Sequence, residues 1–357
     1  MRLRAAAVIV LVVMSLSTSA CSGGQPTAGD TTTPAKASPV TLRLGTPEEA
    51  GRPGYLIAQT FAAKVREDSK AAVRVDVAQA GIDEPAFDQA SIDELIKGQF
   101  QLALIPARAW HSKGVTTLEA LQLPTLIETD DQADRVAQSS AVPDMLGGLE
   151  AAGLTGLAVY PEGLRHIATF GDLGVLTSTN LKGKKVRAPR ADTPWATIKA
   201  LGAIPVETVD FHAEVDAGRV HAAESSLALL PDLPDHPVMT ADIAVYYKFQ
   251  VLAVRTEAFN QLDPTMQQLL RTTAVSTLTQ TVADRQHERD GLLVACADQG
   301  TVGIAVASAD TRRNLRALMR GVLENTRRDP LVARSIDAVS KAAGPADVAP
   351  SPTCKKQ

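Results

Sequence analysis

The segment from Leu181 to Leu229 constrains the fold of this chain more than any other, because strand-like and helix-like patterns alternate within it. It reads LKGKKVRAPRADTPWATIKALGAIPVETVDFHAEVDAGRVHAAESSLAL. A turn at Gly183 leads into a strand-like run over Val186–Pro189. A helical run over Trp195–Leu201 follows, and Gly202 supplies a typical helix stop. This alternation predicts an α/β fold.

Arg187 is the first candidate for a binding residue in this segment. It stands at the carboxyl end of the first strand, and two more short strands follow at Ile204–Val206 and Val220–Glu224. Open α/β sheets bind ligands at the carboxyl ends of their strands. A guanidinium there can donate two parallel hydrogen bonds to a carboxylate. From position alone, the alternative is an arginine in a surface or inter-strand ion pair.

A series of motifs occurs in a fixed order along the chain. Within the segment above they are LKGKKVRAP, LGAIPV and AGRVHAAES. Elsewhere they are DELIKGQFQLALIPA, LEALQLPTLIETDDQADRV, PEGLRHIAT and YKFQVLAVRTEAFNQLDPTMQQLL. Their order resembles that of the solute-binding proteins of tripartite ATP-independent periplasmic (TRAP) transporters, of the dicarboxylate-receptor type. The resemblance covers roughly Thr41 to Asn325 and rests on the shared order, since no single motif is decisive.

This resemblance implies an α/β, two-lobe fold of the periplasmic-binding-protein type, with a ligand cleft between the lobes and a long helix spanning both. It also implies that the chain crosses between the lobes near Tyr160 and Phe249. The implied boundaries are residues 40–162 for lobe I, completed by about 250–285, residues 163–249 for lobe II, completed by about 286–345, and a tail at 346–357.

The periodicity of apolar residues predicts the remaining elements. Strands are expected at Val40–Gly45, Ala72–Val77, Leu102–Pro106, Gly156–Tyr160 and Gly303–Val306. Helices are expected at Tyr55–Glu67, Ser91–Lys97, Asp130–Ser139, Val142–Ala152, Met266–Ala297 and Arg312–Thr326. The Ala-rich chain beyond Asp329 is expected to lie at the periphery.

The resemblance also assigns roles to residues of the cleft. Arg187 aligns with the arginine that clamps the ligand carboxylate, and Arg165 with a second arginine that faces the ligand. For Arg165 the alternative is an arginine that orients the hinge. Glu224 aligns with a family glutamate, and Ser225 stands where the family has asparagine, which has a longer reach and more donors. Phe211 falls where the family often stacks an aromatic ring on its ligand.

Four further residues border the loops that would hold the ligand in the first lobe. Trp110 and Arg108 follow the strand at Leu102–Pro106, and Glu48 and Tyr55 border the loop after the first strand. Each of these side chains is a candidate for the wall of the cleft. The alternative for each is ordinary packing within the lobe.

The first residues of the chain predict export and a lipid anchor. Arg2 and Arg4 precede an apolar run, Ala5–Met14, that is too short for a relaxed transmembrane span. Small residues then lead to Cys21, as in a lipobox, so the mature chain would be held on the outer face of the cytoplasmic membrane. Residues 22–39 have the composition of a flexible tether. The alternative is an ordinary signal peptide with an incidental cysteine.

The other two cysteines, Cys296 and Cys354, are an even pair in a chain predicted to enter an oxidising compartment. Cys354 lies in a Pro-rich tail that has little else to keep it ordered. We therefore expect a disulfide that pins the tail. The alternative is a buried thiol with a mobile tail.

Composition and missing motifs exclude several other classes of function. The formal net charge is −4, with no basic run beyond the turn at Lys182, so nucleic acid is not an expected partner. The sequence lacks the Gly-x-Ser-x-Gly, phosphate-loop, dinucleotide and His-Glu-x-x-His motifs. Its six histidines are scattered, so no metal or cofactor is implied. After the first residues, nothing is apolar enough to cross a membrane.

Taken together, the patterns predict an exported, lipid-anchored solute-binding protein and not an enzyme. It would capture a small organic acid, close around it, and deliver it to the permease subunits of a TRAP-type transporter. Two alternatives stay open from the sequence. One is a sensory or interaction lipoprotein that uses the same fold to signal to a partner protein, and the other is an enzyme whose catalytic cluster assembles only in the folded chain.

Overall fold

One mixed sheet runs through both halves of the described chain. The computed structural model describes residues 39–82, 86–208, 210–297, 301–346 and 354. The strands are β1 (Val40–Thr46), β2 (Val73–Gln79), β3 (Leu102–Pro106), β4 (Leu154–Thr169), β5 (Lys185–Arg187), β6 (Ile204–Val206), β7 (Ala222–Ser225), β8 (Val238–Arg255) and β9 (Gly303–Ala305). Their order across the sheet is β2-β1-β3-β8-β4-β7-β5-β6, and β9 pairs with β8 outside that row.

The long strands β4 and β8 hold this sheet together. They are antiparallel, and their pairing runs from Leu154 opposite Arg255 to Thr169 opposite Val238 with several shifts of register. Such irregularities bend a strand pair and increase its twist. β3 pairs with the end of β8 near Arg255, whereas β7 pairs with the end of β4 near Thr169. Both long strands therefore pass from one half of the protein into the other.

Helices pack against the sheet in both halves. They are α1 (Pro53–Asp68), α2 (Phe87–Ile96), α3 (Asp130–Ala137), α4 (Ala141–Gly147), α5 (Asp192–Ala200), α6 (Phe211–Asp216), α7 (Thr256–Asn260), α8 (Pro264–Asp284), α9 (Glu288–Ala297), α10 (Ala309–Thr326) and α11 (Pro330–Ala343). Local sequence explains where they begin. At α8, for example, the Asp263 carboxylate accepts a hydrogen bond from the Met266 N–H at 3.0 Å, and Pro264 supplies the fixed φ of a first helical position.

The buried apolar residues form separate cores, and these cores define two lobes. The largest core joins β1, β2, β3, α1, α2 and α8 to the adjoining parts of β4 and β8, and we call this part the first lobe. Smaller cores join β5, β7, α5, α9 and α10 to the other parts of β4 and β8, and we call this part the second lobe. The two-lobe α/β architecture predicted from the sequence is confirmed.

The chain beyond Asp329 is not peripheral. α11 packs into the first-lobe core through Val332, Ile336 and Val339, and Ile336 is 0% exposed. Both the predicted periphery of this segment and its assignment to lobe II are therefore wrong. The spacing of these residues is that of one helix face, and an Ala-rich composition concealed the apolar stripe.

The helix expected over Met266–Ala297 is two helices. α8 ends at Asp284 and packs on the first lobe, and α9 begins at Glu288 and packs on the second. Arg285 between them has an extended backbone, and its guanidinium binds the Asp134 carboxylate of α3. Asp130 of α3 also accepts the Glu288 N–H at 2.7 Å. The sequence pattern is continuous, but these polar contacts with α3 end one helix and start the next.

The disulfide between Cys296 and Cys354 that the sequence predicts is present, with an S–S distance of 2.07 Å. Cys296 belongs to α9, on the second lobe. The chain just after α11 is held on the first lobe instead, since Arg135 donates to the Ala343 and Pro345 carbonyls at 2.8 and 3.1 Å. The disulfide thus links Cys354 to a helix of the second lobe, whereas the segment just after α11 is bound to the first.

The described residues contain no helix that is both long enough and apolar enough to cross a bilayer. The predicted signal peptide, Cys21 and the tether as far as residue 38 lie outside the described residues. Export and lipid anchoring through Cys21 therefore stay predictions from the sequence.

Candidate functional site

A layer of charged and polar side chains, most of them buried, lies between the two lobes. It is built at the carboxyl ends of strands from both lobes, and the crossing strands β4 and β8 contribute to it. Its members are Glu48, Asp88 and Arg108 from the first lobe, Glu162, Arg165, Tyr246, Lys248 and Gln250 from the crossing strands, and Arg187 and Glu224 from the second lobe. Strand ends of this kind are where open α/β sheets bind ligands.

Arg187 is the last residue of β5, where the backbone pairs with β6 on one side and β7 on the other. Its Nε atom is buried and has no hydrogen-bond partner among the described residues. Its guanidinium carbon lies 5.7 Å from the centre of the Phe211 ring. Burial lowers the pKa of Arg187, Glu224 opposes this change, and Arg108 adds to it. The ion pairs of the layer leave Arg187 out, so this cation has a buried N–H to offer an acid.

Arg165 and Glu224 form a buried ion pair. The Arg165 Nε–H donates to Glu224 Oε1, whereas Glu224 Oε2 has no partner among the described residues. Burial raises the pKa of Glu224, but the positive charges of Arg165 and Arg108 outweigh burial, so the pKa is lowered. Glu224 is therefore an ionised partner of Arg165, and only the rest of the Arg165 guanidinium is left for a ligand.

The other predicted wall residues divide between the layer and the packed interior. Phe211 lies beside Arg187, and Ser225 is buried at the end of β7. Tyr55 is half-buried in the first turn of α1. Trp110 is 0% exposed and belongs to the first-lobe core, so its position matches the packing alternative and gives no support to a ligand contact.

The part of the layer that sequence reasoning missed centres on Lys248. Its Nζ atom lies 2.7 Å from Glu48 Oε1 and 2.8 Å from Glu162 Oε1. The Gln250 Nε2 amide donates to the same two carboxylates, at 2.8 Å for Glu48 and 2.7 Å for Glu162. Burial raises the pKa of Glu48, but Lys248 and then Arg108 lower it to about 2. Glu48, predicted as a wall residue, is thus held by Lys248 and Gln250.

A sequence signal for this cluster exists. Tyr246, Lys248 and Gln250 alternate with apolar residues in the segment that forms strand β8, and the structure buries all three. Side chains two residues apart on a strand lie on the same face. Three polar residues on one face of a buried strand need partners, and Glu162 in the neighbouring strand β4 supplies one.

Arg108 and Asp88 form a second buried pair, in the first lobe. Arg108 Nε lies 2.7 Å from Asp88 Oδ2, and the two side chains are 4% and 2% exposed. Burial raises the pKa of Asp88 although Arg108 opposes this change. The pairing uses one arm of each group, because Arg108 Nη1 and Asp88 Oδ1 have no partner among the described residues.

Direct contacts also join the lobes around this layer. Arg52 Nη1 lies 2.5 Å from Asp232 Oδ2. The Gln89 side chain donates to the Arg190 carbonyl at 2.6 Å, and further contacts connect Ala86 with Glu207 at 3.1 Å and His111 with Asp192 at 3.0 Å. The lobes are therefore in contact over the layer, which is why its side chains are removed from solvent.

These features limit the chemistry of the site. The layer holds four cations and four carboxylates, but Lys248 binds two of the carboxylates, so Arg187 has no ion pair in the layer. The site can therefore bind an anion through the buried Nε–H of Arg187. Among the described residues, no group of His, Cys, Asp or Glu side chains has the arrangement of a metal site. The arrangement therefore suits recognition of an acid.

A two-lobed α/β fold with a charged layer between its lobes defines the class of periplasmic-binding-protein-like receptors. The chain belongs to the family described as bacterial extracellular solute-binding protein, family 7, whose model matches residues 44–329. This family comprises receptors for solutes and is not an enzyme family.

Two curated relatives match a shorter part of the chain. They are the C4-dicarboxylate-binding periplasmic proteins DctP of Rhodobacter capsulatus and of Vibrio cholerae serotype O1. Identity is 27% and 26% over 118 residues, which is 33% of this chain and 35% of each relative. The match thus spans about a third of the length of these curated relatives.

Solved structures with the same fold cover most of the chain. A sugar acid binding protein from Advenella mimigardefordensis, in complex with galactonate, has a TM-score of 0.72 at 20% identity and covers 86% of this chain and 100% of its own. TRAP periplasmic solute binding proteins from Shewanella oneidensis with succinate and from Roseobacter denitrificans with β-D-glucuronate also have TM-scores of 0.72, at 15% and 16% identity. They cover 86% and 84% of this chain and 100% and 99% of their own. At these identities the likeness establishes the fold.

Proposed function

We propose that this chain is an extracytoplasmic solute-binding protein that captures a small organic acid and delivers it to a TRAP-type transporter. The observation that carries the proposal is Arg187, a half-buried strand-end arginine whose buried Nε–H has no partner among the described residues. The names of the curated relatives and the acids bound to the structural neighbours support the same class of ligand. The sensor alternative has no support of its own in these observations.

Capture follows from the position of the charged layer. An acid that enters between separated lobes gives its carboxylate to Arg187, which can donate two parallel hydrogen bonds. The contacts that join the lobes, such as Arg52 with Asp232 and Gln89 with Arg190, exist only when the lobes meet. An acid that gains its best contacts in the closed form shifts the population toward it. The permease would then receive the closed form, and no catalytic step is part of this role.

The test of this function is a ligand screen. The purified protein is titrated with galactonate, glucuronate and succinate, and with glucose and succinamide as uncharged controls. We expect at least one acid to raise the melting temperature and to bind in calorimetry, because a ligand that binds only the native state stabilises it. The controls are expected to do neither. An uncharged control that binds as well as its acid, or a screen in which no acid binds, would contradict the proposal.

We also propose that Cys21 anchors the chain to the membrane. The basic, apolar and small residues that end at this cysteine motivate the proposal. In a lipoprotein-competent host, Cys21→Ser is expected to move the protein from the membrane fraction to the soluble fraction, because two or more acyl chains are needed for stable anchoring. Ser22→Ala, the adjacent control, is expected to stay in the membrane fraction. A Cys21→Ser protein that sediments as fully as the parent would show that the lipobox interpretation is wrong.

A further inference from the structure

Arg108 has hydrogen-bonding capacity that its partner in the first lobe does not use. It lies just after β3, on the 3-10 helix Ala107–Lys113, and it is 4% exposed. Only its Nε–H is aimed at Asp88, at 2.7 Å, and the buried Nη1 has no partner among the described residues. A guanidinium that only neutralised Asp88 would be expected to use both arms, as arginine–carboxylate pairs commonly do. A buried N–H group without a partner is costly, so it calls for an acceptor.

The free arm of Arg108 belongs to the same layer as Arg187, although the two residues come from different lobes. Arg108 contributes to lowering the pKa of both Arg187 and Glu224, which places it within electrostatic reach of both. The nearest carboxylates do not neutralise this group of cations. Arg165 is paired with Glu224 and Arg108 with Asp88, so Arg187 adds a positive charge that no carboxylate of these pairs binds.

We propose that Arg108 is a second contact for the ligand carboxylate, so that the acid is held between an arginine of each lobe. The proposal rests on the function proposed above and adds a residue of the first lobe to its site. Two guanidiniums brought together by closure repel each other, and an anion between them turns that repulsion into two attractions. The carboxylate would therefore favour closure itself, beyond its binding to the second lobe.

The test is a pair of substitutions measured with the acid that binds most tightly among galactonate, glucuronate and succinate. Arg108→Lys keeps a positive charge beside Asp88 but removes the second arm of the fork. We expect the dissociation constant to rise by about tenfold or more in calorimetry. Arg74→Lys is the matched control, because Arg74 is an exposed arginine of β2 in the first lobe and pairs with Asp76 outside the charged layer. Its dissociation constant is expected to stay within about threefold of the parent value.

A double-mutant cycle separates a ligand contact from a structural role. If Arg108 and Arg187 hold the same carboxylate, the effects of Arg108→Lys and Arg187→Lys on affinity will not add. Circular dichroism and urea unfolding verify that each variant is folded. Unchanged affinity in a folded Arg108→Lys protein, or additive effects in the cycle, would overturn the role of Arg108. If Arg187→Lys also leaves the affinity for the acid unchanged, or if no acid binds the parent protein, the function proposed above is contradicted together with the role of Arg108.

Discussion

Arg187→Ala is expected to weaken binding of the captured acid by on the order of 100-fold or more. The loss has two parts. The charge-assisted pair between guanidinium and carboxylate disappears, and the ligand carboxylate is left buried without its partner. Arg187→Lys is expected to recover only part of the affinity, because a point charge cannot reproduce the two-armed contact. Calorimetry with the acid identified in the screen measures both changes.

A matched control for this prediction is Arg219→Ala. Arg219 lies on the second lobe, but it is exposed and pairs with Glu214 at 2.7 Å, away from the charged layer. The Arg219→Ala substitution removes the same charge from the same lobe. The affinity for the acid is expected to stay within about twofold of the parent value. Circular dichroism verifies the fold of both variants. If Arg187→Ala is folded and binds with parental affinity, Arg187 does not bind the ligand carboxylate. The main reason to regard the ligand as an acid would then be lost.

Lys248→Met is expected to lower the free energy of unfolding at pH 7 by about 3–5 kcal/mol. Among the described residues, Lys248 is the only cation within ion-pair distance of Glu162. It also forms an ion pair with Glu48. Methionine fills a similar volume but leaves both carboxylates buried without the ammonium group. Urea unfolding measures the loss. The control is Lys113→Met, whose partly exposed pair with Asp93 is expected to contribute no more than about 1 kcal/mol.

The pH dependence of this loss has a definite sign. The pKa of Glu48 falls from 4.5 to about 2 in the folded protein. Its contribution to stability is therefore fully present above about pH 4.5 and is lost as the pH falls through about 2. In Lys248→Met the Glu48 carboxylate is easier to protonate, because the largest of the charges that lower its pKa is gone, so acid relieves part of the defect. The difference in stability between parent and variant should shrink from pH 7 to pH 4. A difference that grows on acidification would contradict this account of the cluster.

The parts of the fold that could be predicted are those governed by local sequence. The strand expected over Leu102–Pro106 has the observed bounds of β3, and the strand at Ile204–Val206 is β6. Both are short apolar runs between turns, so neighbouring residues suffice to define them. Arg187 could be placed at a strand end for the same reason. The absence of a partner for its Nε atom among the described residues could not be predicted in this way. The charges that surround Arg187 come from distant parts of the chain and meet only in the folded structure.

The parts that could not be predicted depend on contacts between distant residues. The break between α8 and α9 is set by Arg285, which binds Asp134 across a large separation in sequence. Lys248 forms an ion pair with Glu48, which lies in the loop after β1 of the first lobe. The sequence around Arg285 and around Lys248 does not indicate which residue each of them binds. The alternation of polar residues in β8 could have indicated that a polar face needed partners, but not which carboxylates would supply them.

The two long strands restrict how a protein of this kind can change its ligand. Because β4 and β8 are shared, neither lobe corresponds to one uninterrupted stretch of the gene, and a recombination event cannot exchange one lobe as a module. A fragment that ended within β4 would also expose an unpaired strand edge, which invites aggregation. New specificity in this architecture therefore has to arise from point substitutions at the strand ends, where a side chain such as Ser225 can be replaced while the sheet that carries it stays intact.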